Sequence, residues 1–146
     1  MSAPLRVRRL HPGARLPTRA HPEDAGLDLR ALDAVTLEPG ERAQVATGIA
    51  VELPPGHAGW VVPRSGLAHR HGIALVNAPG LIDPGYRGEL MVLLLNTDRH
   101  SAVVLDAGDR IAQLVVAPVA TLAVVESEAL TDGARNENGF GSSGKR

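Results

Sequence analysis

Short apolar or alternating segments recur along the chain, and prolines and glycines separate them. The segments are rich in Val, Ile and Leu, and most are too short to form helices. Those that read as strands are 43–52, 57–62, 73–76, 89–96, 101–105, 110–117 and 122–126. Pro-Gly turn signals stand at 39–40, 55–56, 79–80 and 84–85. Many short strands with frequent turns predict an all-β fold of the sandwich, barrel or jelly-roll type.

Two segments depart from this strand pattern. Residues 65–72 predict a helix of one or two turns, with Ser65 at its start and Gly72 at its end. Residues 131–146 are polar and rich in glycine, and they contain little to bury except Phe140. Such a segment is expected to be mobile on its own. We therefore predict one β domain at 1–130 and a flexible arm at 131–146.

The composition excludes several classes of protein. The absence of cysteine excludes a disulfide framework, a thiolate zinc site and cysteine catalysis, and it fits a reducing cytoplasm. The net charge of -1 provides no basic field for nucleic acid or an anionic membrane. No segment resembles a secretory signal or a membrane span, and the single lysine, Lys145, lies in no P-loop pattern. We expect a cytoplasmic protein that binds neither nucleic acid nor membrane.

Two early segments contain candidate functional side chains. In A-G-L-D-L at 25–29, Asp28 stands between two leucines and is either an outward carboxylate on a strand or a functional acid. In P-R-S-G-L-A at 63–68, Arg64 and Ser65 stand where a strand gives way to a helix. A guanidinium, a hydroxyl and free backbone N–H groups suit a phosphate, although a simple helix cap would give the same pattern.

The segment G-L-I-D-P-G-Y-R-G-E at 80–89 is the most suggestive. It lies between two apolar strands, which predicts a hairpin, and it contains Asp83 and the only tyrosine, Tyr86. Catalytic groups often lie on such loops, although an ordinary polar hairpin tip has the same composition. Just upstream, Asn77 is either a turn former or an amide that reads the polar edge of a ligand.

The last two segments are G-D-R-I-A-Q-L at 108–114 and R-N-E-N-G-F-G-S-S-G at 135–144. Gln113 is polar within an apolar strand, so it faces solvent or donates hydrogen bonds in a site. Asp109 and Arg110 suggest a structural pair. Glycines and serines of the tail can form a nest that binds an anion, and Phe140 can stack on a planar base. A disordered tail with an incidental phenylalanine is the alternative.

In this order, the five segments resemble the five motifs of the trimeric dUTPases, the deoxyuridine triphosphate nucleotidohydrolases. They run from residue 25 to residue 144, and the third and fourth motifs are the most specific. The resemblance implies a jelly-roll-like β-clip fold and a homotrimer whose active sites are each built from more than one subunit. It implies hydrolysis of dUTP to dUMP and pyrophosphate with Mg²⁺, which would keep uracil out of DNA and supply dUMP for thymidylate synthesis.

The resemblance also implies roles for single residues. Asp83 would orient and deprotonate the attacking water, and Asp28 would hold hydrated Mg²⁺ through water. The implied phosphate contacts are Arg64, Ser65, Gly66 and Gln113. The implied readers of uracil are Asn77 and the main chain of Gly80, Leu81, Ile82 and Asp83. Tyr86 would pack under the deoxyribose and exclude a 2′-hydroxyl, and Met91 matches a further substrate contact.

On the tail, the resemblance implies that Phe140 covers uracil. The implied contacts of the tail to the γ-phosphate and its surroundings are Arg135, Gly141, Ser142 and Ser143. Asn136 departs from the family, which usually has glycine there, but asparagine tolerates the left-handed region. Ser143 replaces a commoner threonine.

Two other functions fit parts of this pattern. A dCTP deaminase-like enzyme would share the fold, but it would need an acid placed to activate water at C4 of the base. A non-catalytic nucleotide-sensing module would not need Asp83, Asp28 and Arg135 together. A generic β-sandwich adhesion domain would leave the five motifs unexplained.

Overall fold

The structure, a computed structural model, describes residues 4–145; residues 1–3 and 146, the outer ends of the predicted domain and arm, lie outside that range. The strands are β1 Arg6–Arg9, β2 Leu27–Arg30, β3 Val35–Leu37, β4 Arg42–Ala46, β5 Ile49–Glu52, β6 His57–Val62, β7 Ile73–Leu75, β8 Gly80–Ile82, β9 Met91–Asn96, β10 Val103–Leu105 and β11 Arg110–Pro118. The helix α1, Ser65–His71, lies between β6 and β7. The described residues thus confirm the predicted all-β class and the single short helix.

The strands form four antiparallel sheets, with the orders β2-β11-β6-β8, β4-β9-β7, β1-β5 and β10-β3. One cluster of buried apolar side chains joins them, and it includes Leu29 of β2, Leu94 of β9 and Leu114 of β11. The described residues do not close into a barrel, so the fold is a layered jelly-roll-like sandwich. Within them, no helix has the length and hydropathy of a membrane span.

The sheet β4-β9-β7 has one face in the core and one outer face. On β9, Val92, Leu94 and Asn96 are buried, whereas Met91, Leu93 and Leu95 are only partly covered. The amide of Asn96 donates to the carbonyls of Leu37 and Ser101, both at 2.9 Å, which satisfies it within the core. On the opposite face, Leu93 and Leu95 lie opposite the exposed polar residues Gln44 and Arg42 of β4, without a covering layer among the described residues.

A tight corner divides the predicted strand 43–52 into β4 and β5. Gly48 adopts φ 71°, a left-handed conformation that glycine accepts without a steric penalty. A Cβ at this position would lie 2.8 Å from the Cβ of Ala14, so the close approach also requires glycine. We call Thr47, Gly48 and Ile49 the β4–β5 corner.

The predicted strand at 122–126 is wrong. These residues form no strand, and Leu122, Val124 and Val125 are 84%, 100% and 80% exposed. β11 ends at Pro118, and the next backbone hydrogen bond, from Val119 to Gly56, is 2.8 Å long. The apolar composition is that of a strand, but the segment has no neighbouring strand to pair with in the described chain.

Candidate active site

Asp28 is the centre of a polar cluster at one end of the largest sheet. Its residue is 4% exposed, and three side chains surround its carboxylate. Arg110 Nη1 donates to Oδ2 at 3.2 Å, and Gln113 Nε2 donates to Oδ1 at 3.4 Å. Arg64 Nε lies 3.6 Å from Oδ1. The two guanidinium groups offset the charge of a carboxylate that would be costly to bury unpaired.

The strand register explains why these side chains meet. Gln113 of β11 lies opposite Asp28 of β2 on one side and opposite Val62 of β6 on the other. In a regular strand, Arg110 and Gln113 would project from opposite faces because they are three residues apart. The register shifts between Arg110 and Ala112, and this irregularity redirects the Arg110 side chain to the face of Asp28.

This geometry corrects the suggested pairing of Asp109 with Arg110. Arg110 binds Asp28, whereas the Asp109 carboxylate accepts a hydrogen bond from the Asp106 N–H at 2.8 Å. Arg110 is therefore a site residue that the sequence interpretation missed. The available signal was a cation at the start of the same apolar strand that carries Gln113.

The start of α1 lies beside this cluster. The helix begins at Ser65, as predicted, but its N-cap residue is Arg64 and no side chain caps it. Arg64 Nη1 donates to the Arg110 carbonyl at 3.2 Å, which ties the helix start to β11. Ser65 and Gly66 are exposed, and open space surrounds the position of a Cβ on Gly66. A hydroxyl and backbone N–H groups are thus accessible next to two arginines.

A second group of predicted residues forms a small pocket of about 250 Å³. Its lining residues are Gln44, Leu81, Ile82, Asp83, Tyr86, Glu89 and Met91. Asp83 is exposed and follows directly after β8. The structure therefore brings Asp83, Tyr86 and Met91 together. It adds Gln44 and Glu89, for which the sequence interpretation gave no role; the signal for Glu89 was an acid at the first position of the predicted strand 89–96.

Tyr86 is held in place by its own loop. Its hydroxyl donates to the Glu89 carbonyl at 2.9 Å, and its N–H donates to the Asp83 carbonyl at 3.0 Å. The ring lies so close to Gly88 that a Cβ there would overlap the phenol. Arg87 Nη1 donates to the carbonyls of Pro84 and Tyr86 at 2.7 and 3.0 Å.

The predicted hairpin at 80–89 has a different form. β7 and β9 pair with each other, but β8 between them pairs with β6, through Leu81 opposite Trp60 and Ile82 opposite Gly59. The connection therefore leaves one sheet, adds an edge strand to another and returns. Asn77 lies at the start of this excursion, with its Nδ2 3.3 Å from the Cβ position of Gly80.

The two groups of residues do not converge within one chain. Neither Asp28, Arg64 nor Gln113 lines the pocket. On β6, Val62 lies opposite Gln113 of β11, whereas Gly59 lies opposite Ile82 of β8. Val62 and Gly59 are three residues apart, which is about 10 Å along the strand.

The C-terminal segment does not reach either group. Arg135, Gly141, Ser142 and Ser143 are exposed, as is Phe140 at 115%. The hydrogen bonds that the structure gives for residues 131–145 stay within that segment, such as Ser142 N–H to Gly139 at 3.0 Å. Asn136 has φ 41°, so it does adopt the left-handed conformation that a glycine would accept there.

Relatives in sequence match nearly the whole chain. A model of the dUTPase family matches residues 13–144. The deoxyuridine 5′-triphosphate nucleotidohydrolase of Thermobifida fusca is 57% identical over 138 residues, which cover 94% of this chain and 77% of that protein. The protein of the same name from Leifsonia xyli subsp. xyli is 58% identical over 130 residues, which cover 89% of this chain and 86% of that protein.

Solved structures of similar fold are also dUTPases. The dUTPase of Staphylococcus bacteriophage 80alpha with dUPNHPP has a TM-score of 0.91 at 32% identity, and the match covers 98% of this chain and 99% of that chain. A second similar structure is a mutant dUTPase from phage phi11 of S. aureus, which reveals the coordination of a structural Mg(II) ion. Its TM-score is 0.83 at 30% identity, and the match covers 89% of this chain and 100% of that chain. These similarities confirm the jelly-roll-like β fold.

Proposed function

This chain belongs to the dUTPase family, and we propose that Asp83 carries its hydrolysis of dUTP to dUMP and pyrophosphate. The chain is an enzyme that acts on dUTP, the activity for which its sequence relatives are named. The observation that supports the role of Asp83 is its exposed position in a pocket that also contains Tyr86 and Met91. The residue roles that follow are proposals from this geometry and the family pattern.

Asp83 acts as the general base. Its carboxylate accepts a proton from a water molecule as that water attacks the α-phosphorus of dUTP in line. A P–O bond forms to the water oxygen, and the bond between the α-phosphorus and the oxygen that bridges to the β-phosphate breaks. Pyrophosphate leaves with the bridging oxygen, and the proton passes from Asp83 to solvent.

Arg64, Ser65, Gly66 and Gln113 bind the phosphates. Within the Asp28 cluster, the contacts of Arg64 and Gln113 are long, at 3.6 and 3.4 Å, so both donors can turn towards an anion at little cost. Arg110 makes the shortest contact, 3.2 Å, and keeps the Asp28 charge offset. The exposed backbone at Ser65 and Gly66 offers further N–H donors to a triphosphate.

Asp28 is the carboxylate that we propose for a hydrated Mg²⁺ ion, and its oxygens also contact Arg64, Arg110 and Gln113. The described residues contain no group of three His, Cys, Asp or Glu side chains that could enclose a metal. Mg²⁺ keeps several waters, however, and binds through one or two carboxylates together with substrate phosphates. Asp28 would hold the ion through water, beside the phosphate-binding arginine. When bound, the ion would offset negative charge on the triphosphate.

Base and sugar are selected by the excursion between β7 and β9. Asn77 and the main chain of Gly80, Leu81, Ile82 and Asp83 read the polar edge of uracil. Tyr86, fixed to the Glu89 carbonyl, presents its ring to the deoxyribose and fills the volume of a 2′-hydroxyl. Met91 lies on the same pocket wall and adds an apolar contact.

A homotrimer with shared active sites explains why the site residues do not converge in one chain. Two observations support it: the phosphate-binding cluster and the pocket are separate, and the tail lies away from both. The partly covered Leu93 and Leu95 on the outer face of β4-β9-β7 offer apolar surface that association would cover. The arm at 131–146 then brings Phe140 over uracil, and Arg135, Gly141, Ser142 and Ser143 to the γ-phosphate.

A substrate panel tests the proposed chemistry. The protein is incubated with dUTP, dCTP, dTTP and UTP in the presence of Mg²⁺, and the release of pyrophosphate is measured. We expect pyrophosphate from dUTP alone, at a rate that falls when the metal is chelated. Ammonia released from dCTP would instead favour a deaminase of the same fold. Binding of dUTP without turnover would favour a nucleotide-sensing module.

The cellular role follows from the reaction. Removal of dUTP would limit the incorporation of uracil into DNA, and the dUMP formed would supply thymidylate synthesis. A cytoplasmic location, without direct contacts to nucleic acid, remains a prediction from the absence of cysteine and the net charge of -1.

A further inference from the structure

Glu89 lies between the pocket and the β4–β5 corner. It is half-buried and lines the same pocket as Asp83 and Tyr86. Its carboxylate Oε1 accepts a hydrogen bond from the buried Gly48 N–H at 2.7 Å. A carboxylate that accepts from a backbone N–H forms a shorter and stronger bond than a neutral acceptor does.

Two further hydrogen bonds fix the backbone at this point. The Leu90 N–H donates to the Ile49 carbonyl at 2.8 Å, and the Thr47 hydroxyl donates to the Leu90 carbonyl at 2.6 Å. Together with the Glu89 carboxylate, they attach the end of the loop to all three residues of the β4–β5 corner. At the corner, Gly48 is buried and packs closely against Ala14.

The other side of Glu89 holds the tyrosine. The Glu89 carbonyl accepts the hydrogen bond from the Tyr86 hydroxyl, at 2.9 Å. The location of that carbonyl is set by the backbone that the carboxylate anchors. A chain of contacts therefore runs from Gly48 through Glu89 to the Tyr86 ring.

We propose that Glu89 is a positioning residue for sugar selection: its carboxylate, bound to the Gly48 N–H, fixes the carbonyl that holds the Tyr86 ring in the pocket. This inference rests on the proposed function, in which the ring excludes a 2′-hydroxyl. A shift of the ring by a fraction of an ångström would open the volume that a ribose requires. Glu89 itself does not touch the reacting atoms.

Two substitutions separate the reach of the side chain from its charge. Glu89→Asp keeps the charge but shortens the side chain by one methylene, so the carboxylate no longer reaches Gly48. Glu89→Gln keeps the reach and an acceptor oxygen but loses the charge. Glu41→Asp is the matched control, because Glu41 Oε2 accepts a backbone hydrogen bond from Glu38 at 2.8 Å in an exposed turn.

The main measurement is the ratio of kcat/KM for dUTP to kcat/KM for UTP. We expect Glu89→Asp to lower this ratio about tenfold, the effect of losing one charge-assisted hydrogen bond. Glu89→Gln should retain most of the ratio, and Glu41→Asp should leave it unchanged. If Glu89→Asp lowers the melting temperature but leaves the ratio at the wild-type value, Glu89 is only structural and the proposal is wrong.

A spectroscopic measurement tests the same contact without any turnover. Tyr86 is the only tyrosine in the chain, so in a sample labelled only at tyrosine its ring signals need no further assignment. The ring shifts should change in Glu89→Asp, change less in Glu89→Gln, and stay constant in Glu41→Asp. Unchanged ring shifts in folded Glu89→Asp would overturn the inference. A wild-type protein inactive on dUTP would overturn the proposed function instead, and the spectrum would still decide the role of Glu89.

Discussion

The loop at 83–89 and the tail at 135–143 have similar compositions but different structures. Both are polar, both contain glycine, and substrate contacts are proposed for both. The loop lies between β8 and β9, and Tyr86, Arg87 and Glu89 each bind backbone groups that hold its shape. The tail follows the last strand, is exposed throughout, and forms hydrogen bonds only within residues 131–145 of the described chain.

The difference in anchoring indicates different roles for the two segments in substrate binding. The loop has its conformation before substrate arrives, so it can carry the chemistry and the selection of base and sugar. The proposed closure over substrate would order the tail, at a cost of about 1–2 kcal/mol per residue in backbone entropy. Only a ligand with a base to stack on and a terminal phosphate to bind would offset that cost.

The largest effect is expected from the loop. Asp83→Asn should lower kcat for dUTP by about 10²–10⁴-fold, because the amide cannot accept the proton of the attacking water. The affinity for a non-hydrolysable dUTP analogue should stay close to that of the wild type. Asp132→Asn, a change of the same kind in the tail, is the control and should leave kcat unaltered. Near-normal turnover in Asp83→Asn would remove this residue from its proposed role.

Truncation after Leu130 should leave the fold intact but remove most of the activity. The buried core draws on residues up to β11, so the melting temperature should change little. Loss of the tail contacts to the γ-phosphate should lower kcat/KM about hundredfold, the effect of one or two lost charge-assisted hydrogen bonds. In the full chain, a dUTP analogue with Mg²⁺ should protect the region of Arg135 from protease, and dUMP should protect it much less. Hydrolysis at the full-length rate by the truncated protein would contradict the closing role of the tail.

Tyr86→Ala should relax the selection of the sugar. Removal of the ring opens the volume of a 2′-hydroxyl, and the ratio of kcat/KM for dUTP over UTP should fall roughly tenfold to hundredfold. Phe140→Ala, the matched loss of an aromatic ring from the tail, should weaken both substrates alike and keep the ratio. An unchanged ratio in Tyr86→Ala would place sugar selection elsewhere.

The smallest effects are expected from a pair of glycine substitutions. Gly88→Ala should destabilise the protein by about 1–3 kcal/mol, because its Cβ would displace the Tyr86 ring from a packed position. Gly139→Ala in the tail should change stability by less than about 0.5 kcal/mol, since no atom lies within 4 Å of the added Cβ. Urea unfolding of both variants measures the difference, and equal stabilities would show that the loop is no better anchored than the tail.

The sequence predicts best those elements whose side chains alternate and are buried. β6 lies at the predicted residues 57–62, and β9 and β11 lie within one or two residues of theirs. β1 was missed because Arg6, Arg8 and Arg9 are polar and exposed, and its strand conformation comes from backbone pairing with β5. The segment 122–126 shows the opposite error: its apolar composition predicts a strand, but none forms because composition alone cannot supply a pairing partner.

For the site, the sequence indicates which residues belong to one loop better than it indicates their contact partners. Asp83, Tyr86 and Met91 share a pocket, as their proposed roles require. The contact between Arg110 and Asp28 depends on a register shift within β11, and no residue pattern reveals such a shift. The anchor between Glu89 and Gly48 joins residues 41 positions apart, so only the packing of the β4–β5 corner against the loop exposes it.

The Asp28 cluster also constrains how this chain can change over generations. One carboxylate serves Arg64, Arg110 and Gln113 at the same time. A mutation that removes it leaves two cations facing each other, and a mutation that removes one arginine alters the charge balance felt by the other. Each of the four positions thus limits which replacements the remaining three can accept. We expect them to be inherited as a unit, so that a substitution at one position is accompanied by a compensating change at another.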